Sequence, residues 1–377
     1  MKIALVRQRY TPYGGAERFV SRAMQTLKEQ GAEITLITRH WESDANLQAL
    51  TCDPFYLGSL WRDWGFSRCV RNTLARHDFD LVQSHERIPG CDVYRAGDGV
   101  HREWLAQRRR VLGPLGRLGL MLNPYHRYTL AAEQRLFSSP RLQTIICNSR
   151  MVRDELRYHF GLPEEKLPII YSGVDTATYH PRLRAIHRQP VREAHRIPAG
   201  ASLFLFVGSG FERKGVPTLL HAMAQLPDKA HLMVIGKDKR QPQSERLATK
   251  LGLASRVHFL GGQKDVRPFY GAADIFVLPT LYDPFPNVAL EAMACGLPVV
   301  TSNKSGAAEL IDQGVEGFVC DALDAAALAA HLTSLLEPNA AASMGQAART
   351  KVEPYTLEKM GEALLELYRS LLSQKKR

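Results

Sequence analysis

The chain has 377 residues, which exceeds one ordinary domain and sets an expectation of two domains of about 150–200 residues each. Its composition, 45% apolar and 23% charged, is that of a globular protein, and no apolar run approaches the ~20 residues needed to cross a bilayer. The net charge of +11 is uneven: residues 1–160 hold 24 Lys+Arg against 16 Asp+Glu (+8), and the remainder holds 25 against 22 (+3), so the first half is expected to face an anionic partner.

Met1 to Val6 is too short for a signal peptide and reads as a first strand. A turn with Gly14 and Gly15, a helix over 16–30 and a strand over 33–38 complete a βαβ opening in which backbone can approach a ligand. Six cysteines without a C-x-x-C pair suggest reduced thiols rather than a disulfide frame or zinc site. Asp78-Phe-Asp80 opens a strand, the wrong end for a metal site, and reads as a solvated turn, whereas His85 at the strand's far end is a site candidate. Asp98 stands between Gly97 and Gly99 after the next strand, as an Asx turn or a site acid.

Residues 102–127 carry six arginines against Glu103, interleaved with bulky apolar side chains, and Gly113, Pro114, Gly116 and Gly119 break any continuous helix. Such a basic, apolar, broken amphipathic region suits an anionic membrane surface, with His101, Arg102, Arg108, Arg109, Arg110 and Arg117 as contacts; packing on its own domain is the alternative. Residues 182–199, basic and rich in Pro and His, read as a surface linker. Then comes an apolar strand over 202–207 and the turn Gly208-Ser209-Gly210-Phe-Glu-Arg213-Lys214-Gly215. Arg213 occupies the third glycine position of a dinucleotide fingerprint, which argues against an oxidoreductase, while Arg213 and Lys214 at a helix start suit a phosphate. Gln263 and Lys264 follow a later Gly-Gly turn.

The stretch Pro279 to Val300 carries the strongest signal. A strand ends at Pro279, and Pro284 and Pro286 hold a loop out of helical geometry. A helix then begins near Asn287, the expected N-cap. Amides around Pro286, Asn287 and Val288 form an anion site, and Glu291, one turn in, can accept two ribose hydroxyls. This stretch resembles the E-x7-E signature of the retaining glycosyltransferases of family 4, with Asp283 at the first acid and Glu291 at the second.

The resemblance implies an α/β GT-B fold of two Rossmann-like domains with a cleft between them and a last helix crossing back. The expected boundaries are 1–170 for acceptor binding, 171–355 for the nucleotide-sugar, and 356–377 for the helix, which has apolar residues from Leu357 to Leu371 at helical spacing. It implies that Gly14, Gly15, Ser209, Arg213 and Lys214 serve the donor diphosphate, that Gln263 and Lys264 reach the uracil, and that Asp98 positions the acceptor. The reaction implied is hexosyl transfer from a UDP-sugar, without metal or other cofactor, to a heptose of the lipopolysaccharide inner core, on the cytoplasmic face of the inner membrane. Glucose is the family default, and Asp283 in place of Glu leaves N-acetylgalactosamine as an alternative. A nucleic-acid-binding protein would explain the basic charge, but no recognition helix, finger or aromatic RNA motif is present. A non-catalytic membrane scaffold is disfavoured by intact Arg213, Lys214 and Glu291. The oligomeric state is not legible.

Overall fold

The computed structural model describes residues 2–10, 31–41 and 48–375. The turn with Gly14 and Gly15 and the helix expected over 16–30 lie outside them. The chain divides into two compact units, Met1–Ser172 with Leu357–Arg377, and Gly173–Thr356.

The first unit is built on a parallel sheet of β1 (Lys2–Val6), β3 (Glu33–Thr38), β5 (Gln48–Thr51), β6 (Leu81–Ser84), β7 (Val93–Arg95) and β8 (Thr144–Ile146) in the order β5-β3-β1-β6-β7-β8. Two-residue strands β2 (Arg9–Tyr10) and β4 (His40–Trp41) pair separately. β1 lies between β3 and β6, so the chain changes direction across the sheet there and the loops leaving β1 and β6 part at their C-terminal ends, where α/β sheets hold ligands. The last helix, Leu357–Lys375, buries Met360, Leu364, Leu365, Tyr368 and Leu371 against Ile3, Leu5, Leu36 and Ile146 of this unit. Tyr368 also donates to Gln83 Oε1 inside that core.

The second unit repeats the pattern with β9 (Ser202–Val207), β10 (Ala230–Ile235), β11 (Val257–Gly261), β12 (Ile275–Leu278), β13 (Val299–Ser302) and β14 (Gly317–Cys320), ordered β11-β10-β9-β12-β13-β14 and all parallel. Its central strands are continuous apolar runs because helices cover both faces. The switch point here lies between β9 and β12. The loops leaving those two strands are the stretches 208–215 and 279–286 singled out in the sequence.

Three expectations are corrected. Residues 182–199 are not a linker: Leu183–Ala194 is a helix that packs on the helix Arg267–Ala272. Gly271 allows that approach, since a Cβ there would stand 2.4 Å from Leu183 O. The buried Arg192 donates to Ala272 O, Ala201 O and Asp274 Oδ2, and Arg184 and Arg188 reach the same carboxylate at 2.9 and 2.7 Å. These tertiary contacts outweigh the internal Pro190. Secondly, Cys52 and Cys69 form a disulfide; β5 and the helix Gly58–Leu74 bring together two cysteines that no short motif links. Thirdly, the cap of helix Asn287–Ala294 is Pro286 in extended conformation, and Asn287 is the first helical residue without a capping side-chain bond.

Candidate active site

The loop after β9 is held by its own backbone and by the Asp238 side chain from the loop after β10. Phe211 N donates to Asp238 Oδ2 at 2.6 Å and Lys214 N to Gly210 O at 2.9 Å. Gly215, at φ +83°, then starts the helix Val216–Met223. An added Cβ at Gly215 would lie 1.9 Å from Pro279 O, so this glycine is where the two loops meet. The close approach that a third fingerprint glycine would supply is made here by Gly215, two residues beyond Arg213. Arg213 ties the loops further: its carbonyl accepts from Leu281 N at 2.8 Å and Thr280 Oγ1 at 3.1 Å, and its guanidinium donates to Tyr282 O at 3.1 Å.

Both cations converge on Asp283. Lys214 Nζ donates to Asp283 Oδ2, and Arg213 NH1 lies 3.9 Å from the same oxygen. Asp283 is buried, and its backbone is fixed by Lys304 O (3.0 Å) and Gly306 N (2.8 Å) in the loop after β13. Lys214 and Arg213 are thus balanced by Asp283, the first acid of the signature. Glu291 is buried one turn into helix 287–294, and Tyr270 donates to its Oε2 at 3.0 Å while lying 3.2 Å from Val288 O. Burial, reinforced by the Glu291 charge, pushes the Tyr270 phenol well up, so it remains a donor at all working pH. Tyr270 precedes Glu291 by 21 residues, and no sequence motif joins them. Removing the carboxylate in Glu291→Ala is expected to weaken UDP binding roughly tenfold to hundredfold, measured by titration calorimetry. Unchanged affinity would remove Glu291 from the ribose role.

Other candidates sit more peripherally. Ser209 is exposed and its hydroxyl accepts from Lys237 N at 3.4 Å; Gln263 bonds Leu260 O at 2.6 Å and Lys264 is exposed.

In the first unit Asp98 is exposed beside Arg87, at 3.8 Å. Arg87, which the sequence did not single out, donates to the fully buried Glu133 at 2.9 Å, and Glu133 also accepts from His101 N at 2.8 Å. His85 is buried and accepts from Gln83 Nε2 at 3.0 Å, within the network that reaches Tyr368. Burial, aided by Arg95 and Arg7, holds its pKa well below the usual range, as that acceptor role requires. His101 is also buried, 3.1 Å from the ring of His126. Neither histidine is an exposed acceptor contact.

Burial, then Arg87, lowers His101 to about 3, and burial with Arg108 lowers His126. In the unfolded chain both titrate near 6.5, so below that pH the unfolded state takes up protons that the folded state refuses. The His101 contribution to stability is therefore complete above about pH 6.5 and is lost as pH falls toward 3, at up to ~1.4 kcal/mol per pH unit, and His126 acts in the same direction. His101→Gln is expected to flatten the fall in melting temperature between pH 6.5 and 4. An equally steep fall in the variant would contradict this origin.

The basic segment forms three helices, His101–Arg110, Pro114–Leu122 and Pro124–Phe137. The middle one leaves Leu115 (85%), Leu118 (49%), Met121 (56%) and Leu122 (61%) exposed. Arg102, Arg109, Arg110 and Arg117 are exposed and Arg108 is partly so, its guanidinium 5.9 Å from the Trp104 ring centre. No helix among the described residues is long and apolar enough to cross a membrane.

The sequence matches two family models, Glycosyltransferase Family 4 over residues 13–178 and Glycosyl transferases group 1 over residues 187–351. It is 34% identical over 364 residues to the lipopolysaccharide core biosynthesis glycosyltransferase LpsE of Rhizobium meliloti (strain 1021), covering 95% of this chain and 96% of that protein. The chain belongs to the group 1, family 4 glycosyltransferases. This glycosyltransferase is also 29% identical over 317 residues to the lipopolysaccharide glucosyltransferase WaaG of Escherichia coli (strain K12), covering 82% of this chain and 83% of that one. A crystal structure of WaaG superimposes with a TM-score of 0.84 at 27% identity, over 97% of this chain and 99% of the other, and the two parallel six-stranded sheets are those of the GT-B fold. The Anabaena HepE structure in complex with UDP and glucose shares the fold, at 21% identity and a TM-score of 0.72 over 98% and 100% of the chains.

Proposed function

We propose that this glycosyltransferase moves a hexose, glucose in first place, from a UDP-sugar to a heptose of the lipopolysaccharide inner core, with retention and without a metal. The observation that carries the reading is the convergence of Lys214 and Arg213 on Asp283 at the β9/β12 switch point. A UDP-sugar diphosphate entering there exchanges one anion for another at a buried Lys214 and a partly exposed Arg213 that are already oriented. As the glycosidic bond breaks, charge collects on the departing β-phosphate. Lys214, Arg213 and the helix-start amides of Asn287 and Val288 stabilise it, and the dipole of helix 287–294 adds to them. Glu291, oriented by Tyr270, holds the ribose, and the leaving phosphate takes the acceptor proton. Asp98 orients the acceptor. The similarity to LpsE and WaaG, both lipopolysaccharide glycosyltransferases, supports the lipopolysaccharide acceptor. The exposed apolar edge of helix 114–122, beside Arg117 and the exposed Arg102, Arg109 and Arg110 of the preceding helix, supports docking on an anionic bilayer that presents that glycolipid.

The test is a thermal-shift panel of UDP, UDP-glucose, UDP-N-acetylgalactosamine, GDP, ADP and NAD, followed by turnover on a heptose-terminated core glycolipid. A ligand at a hundred times its Kd adds ~2.7 kcal/mol of apparent stability. Stabilisation by uridine nucleotides alone, with UDP-glucose the better sugar donor, is the expected result. Superior binding and turnover of UDP-N-acetylgalactosamine would reassign the sugar through Asp283, and stabilisation by NAD or by nothing would end the UDP-sugar reading. Leu115→Glu with Leu118→Glu is expected to abolish sedimentation with phosphatidylglycerol vesicles, and retained binding would remove the membrane role.

A further inference from the structure

A second switch point, in the first unit, carries a small polar cavity. The paired strands β1 and β6 send their loops in opposite directions there, and those loops supply Gln8 and Glu86. Helix Gly58–Leu74 supplies Asp63 from the other side, and helix Pro124–Phe137 supplies Tyr125, Tyr128 and Thr129. The groups are ordered by one another. Asp63 Oδ1 accepts from Gln8 Nε2 at 2.9 Å and from Arg62 Nε at 2.7 Å, and Asp63 Oδ2 accepts from the Tyr125 hydroxyl at 3.0 Å. Glu86 Oε1 accepts from Gln8 N at 3.0 Å; among the described residues Glu86 Oε2 has no hydrogen-bond donor. Two carboxylates held in this way present acceptor lone pairs to hydroxyl groups, and Tyr125, Tyr128 and Arg87 line the cavity beside them.

Size decides what enters. The cavity holds about 50 Å³. At roughly 10–15 Å³ per water-sized group it takes about four such groups, too few for a pyranose ring. Four is the heavy-atom count of a CH(OH)–CH₂OH arm, the feature by which a heptose exceeds a hexose. We infer that this cavity is a specificity subsite for the exocyclic diol of the acceptor heptose, with Asp63 and Glu86 each accepting one hydroxyl hydrogen and Gln8 and Tyr125 positioning Asp63. The inference rests on the heptose-acceptor reading above. A hexose acceptor, one carbon and one hydroxyl shorter, leaves a carboxylate of the pocket without its partner, and unpaired polar groups discriminate more strongly than lost apolar contact.

The experiment compares methyl heptoside with methyl mannoside, which lacks the seventh carbon, on the full chain. Binding is followed by ligand-observed NMR, and transfer from the donor chosen by the panel by kcat/KM. The wild type is expected to prefer the heptoside at least tenfold in both. Glu86→Gln and Asp63→Asn are expected to lower the heptoside value roughly tenfold to hundredfold and the mannoside value far less, with UDP affinity and melting temperature retained in Glu86→Gln. Equal use of both glycosides by the wild type overturns the inference, as does an equal loss for both in the variants, and either result leaves the transferase reading standing. Heptoside-selective binding that Glu86→Gln abolishes supports the subsite even if no transfer is seen, in which case it is the proposed reaction that fails.

Discussion

Lys214→Ala is expected to lower kcat with the UDP-sugar donor by ~10²–10³, the loss typical for one preorganised donor to a developing oxyanion. Two effects have to be separated in that variant. Lys214 is 9% exposed and pairs with the buried Asp283, so its removal strips a buried carboxylate of its nearest cation and leaves Arg213 at 3.9 Å. Breaking such a pair from one side costs up to ~3–5 kcal/mol, whereas removing both charges can be nearly neutral. Lys214→Met combined with Asp283→Asn should therefore regain most of the melting temperature lost in Lys214→Ala without regaining turnover. Calorimetric melting and steady-state UDP release on the three proteins decide it. A single variant within threefold of wild-type kcat would take Lys214 out of the mechanism, and a double variant with restored turnover would show the lysine to be structural.

Gly215→Ala is expected to be the most disruptive single-methyl change in the second unit's site. The residue sits at φ +83°, where an L side chain costs ~1–2 kcal/mol, and its Cβ would stand 1.9 Å from the carbonyl oxygen of Pro279. That oxygen is backbone, so relief requires the two site loops to move apart. A total of at least ~3 kcal/mol follows, and a melting temperature lower by roughly 6–12 °C at ~2–4 °C per kcal/mol. Catalysis should fall even at temperatures where the variant is folded, because the separation moves Arg213 and Lys214 away from Asp283. Gly200→Ala, with nothing within 4 Å of its Cβ, is the control and should be nearly neutral. A Gly215→Ala protein as stable as this control would mean that the loops do not meet as described.

The architecture and one half of the site were legible in the residues. Apolar runs such as SLFLFV and HLMVI fold as buried parallel strands because only helix-covered sheets accept them, and the strand–turn–helix punctuation around Gly208 and Pro279 follows from the backbone limits of glycine and proline. Arg213, Lys214, Asp283 and Glu291 could be named because each stands in a local motif. The apolar spacing from Met360 to Leu371 marked a helix but not the core it covers.

What local pattern could not show was pairing over distance. The Cys52–Cys69 disulfide, the capture of Asp274 by Arg184, Arg188 and Arg192, and the bond from Tyr270 to Glu291 join residues 17 to 90 positions apart, and nothing in either partner's neighbourhood announces the other. The same holds for the helix Leu183–Ala194, whose composition suits a linker and whose stability comes from the surface that Gly271 opens to it. His85 and His101 stand at strand and helix ends, the right places for site residues, yet the packing buries them. Sequence determined which segments are strands, turns and phosphate-type loops, since those depend on neighbours a few residues away. Only the tertiary structure decided which charges meet, because desolvation and pairing depend on neighbours brought together by folding.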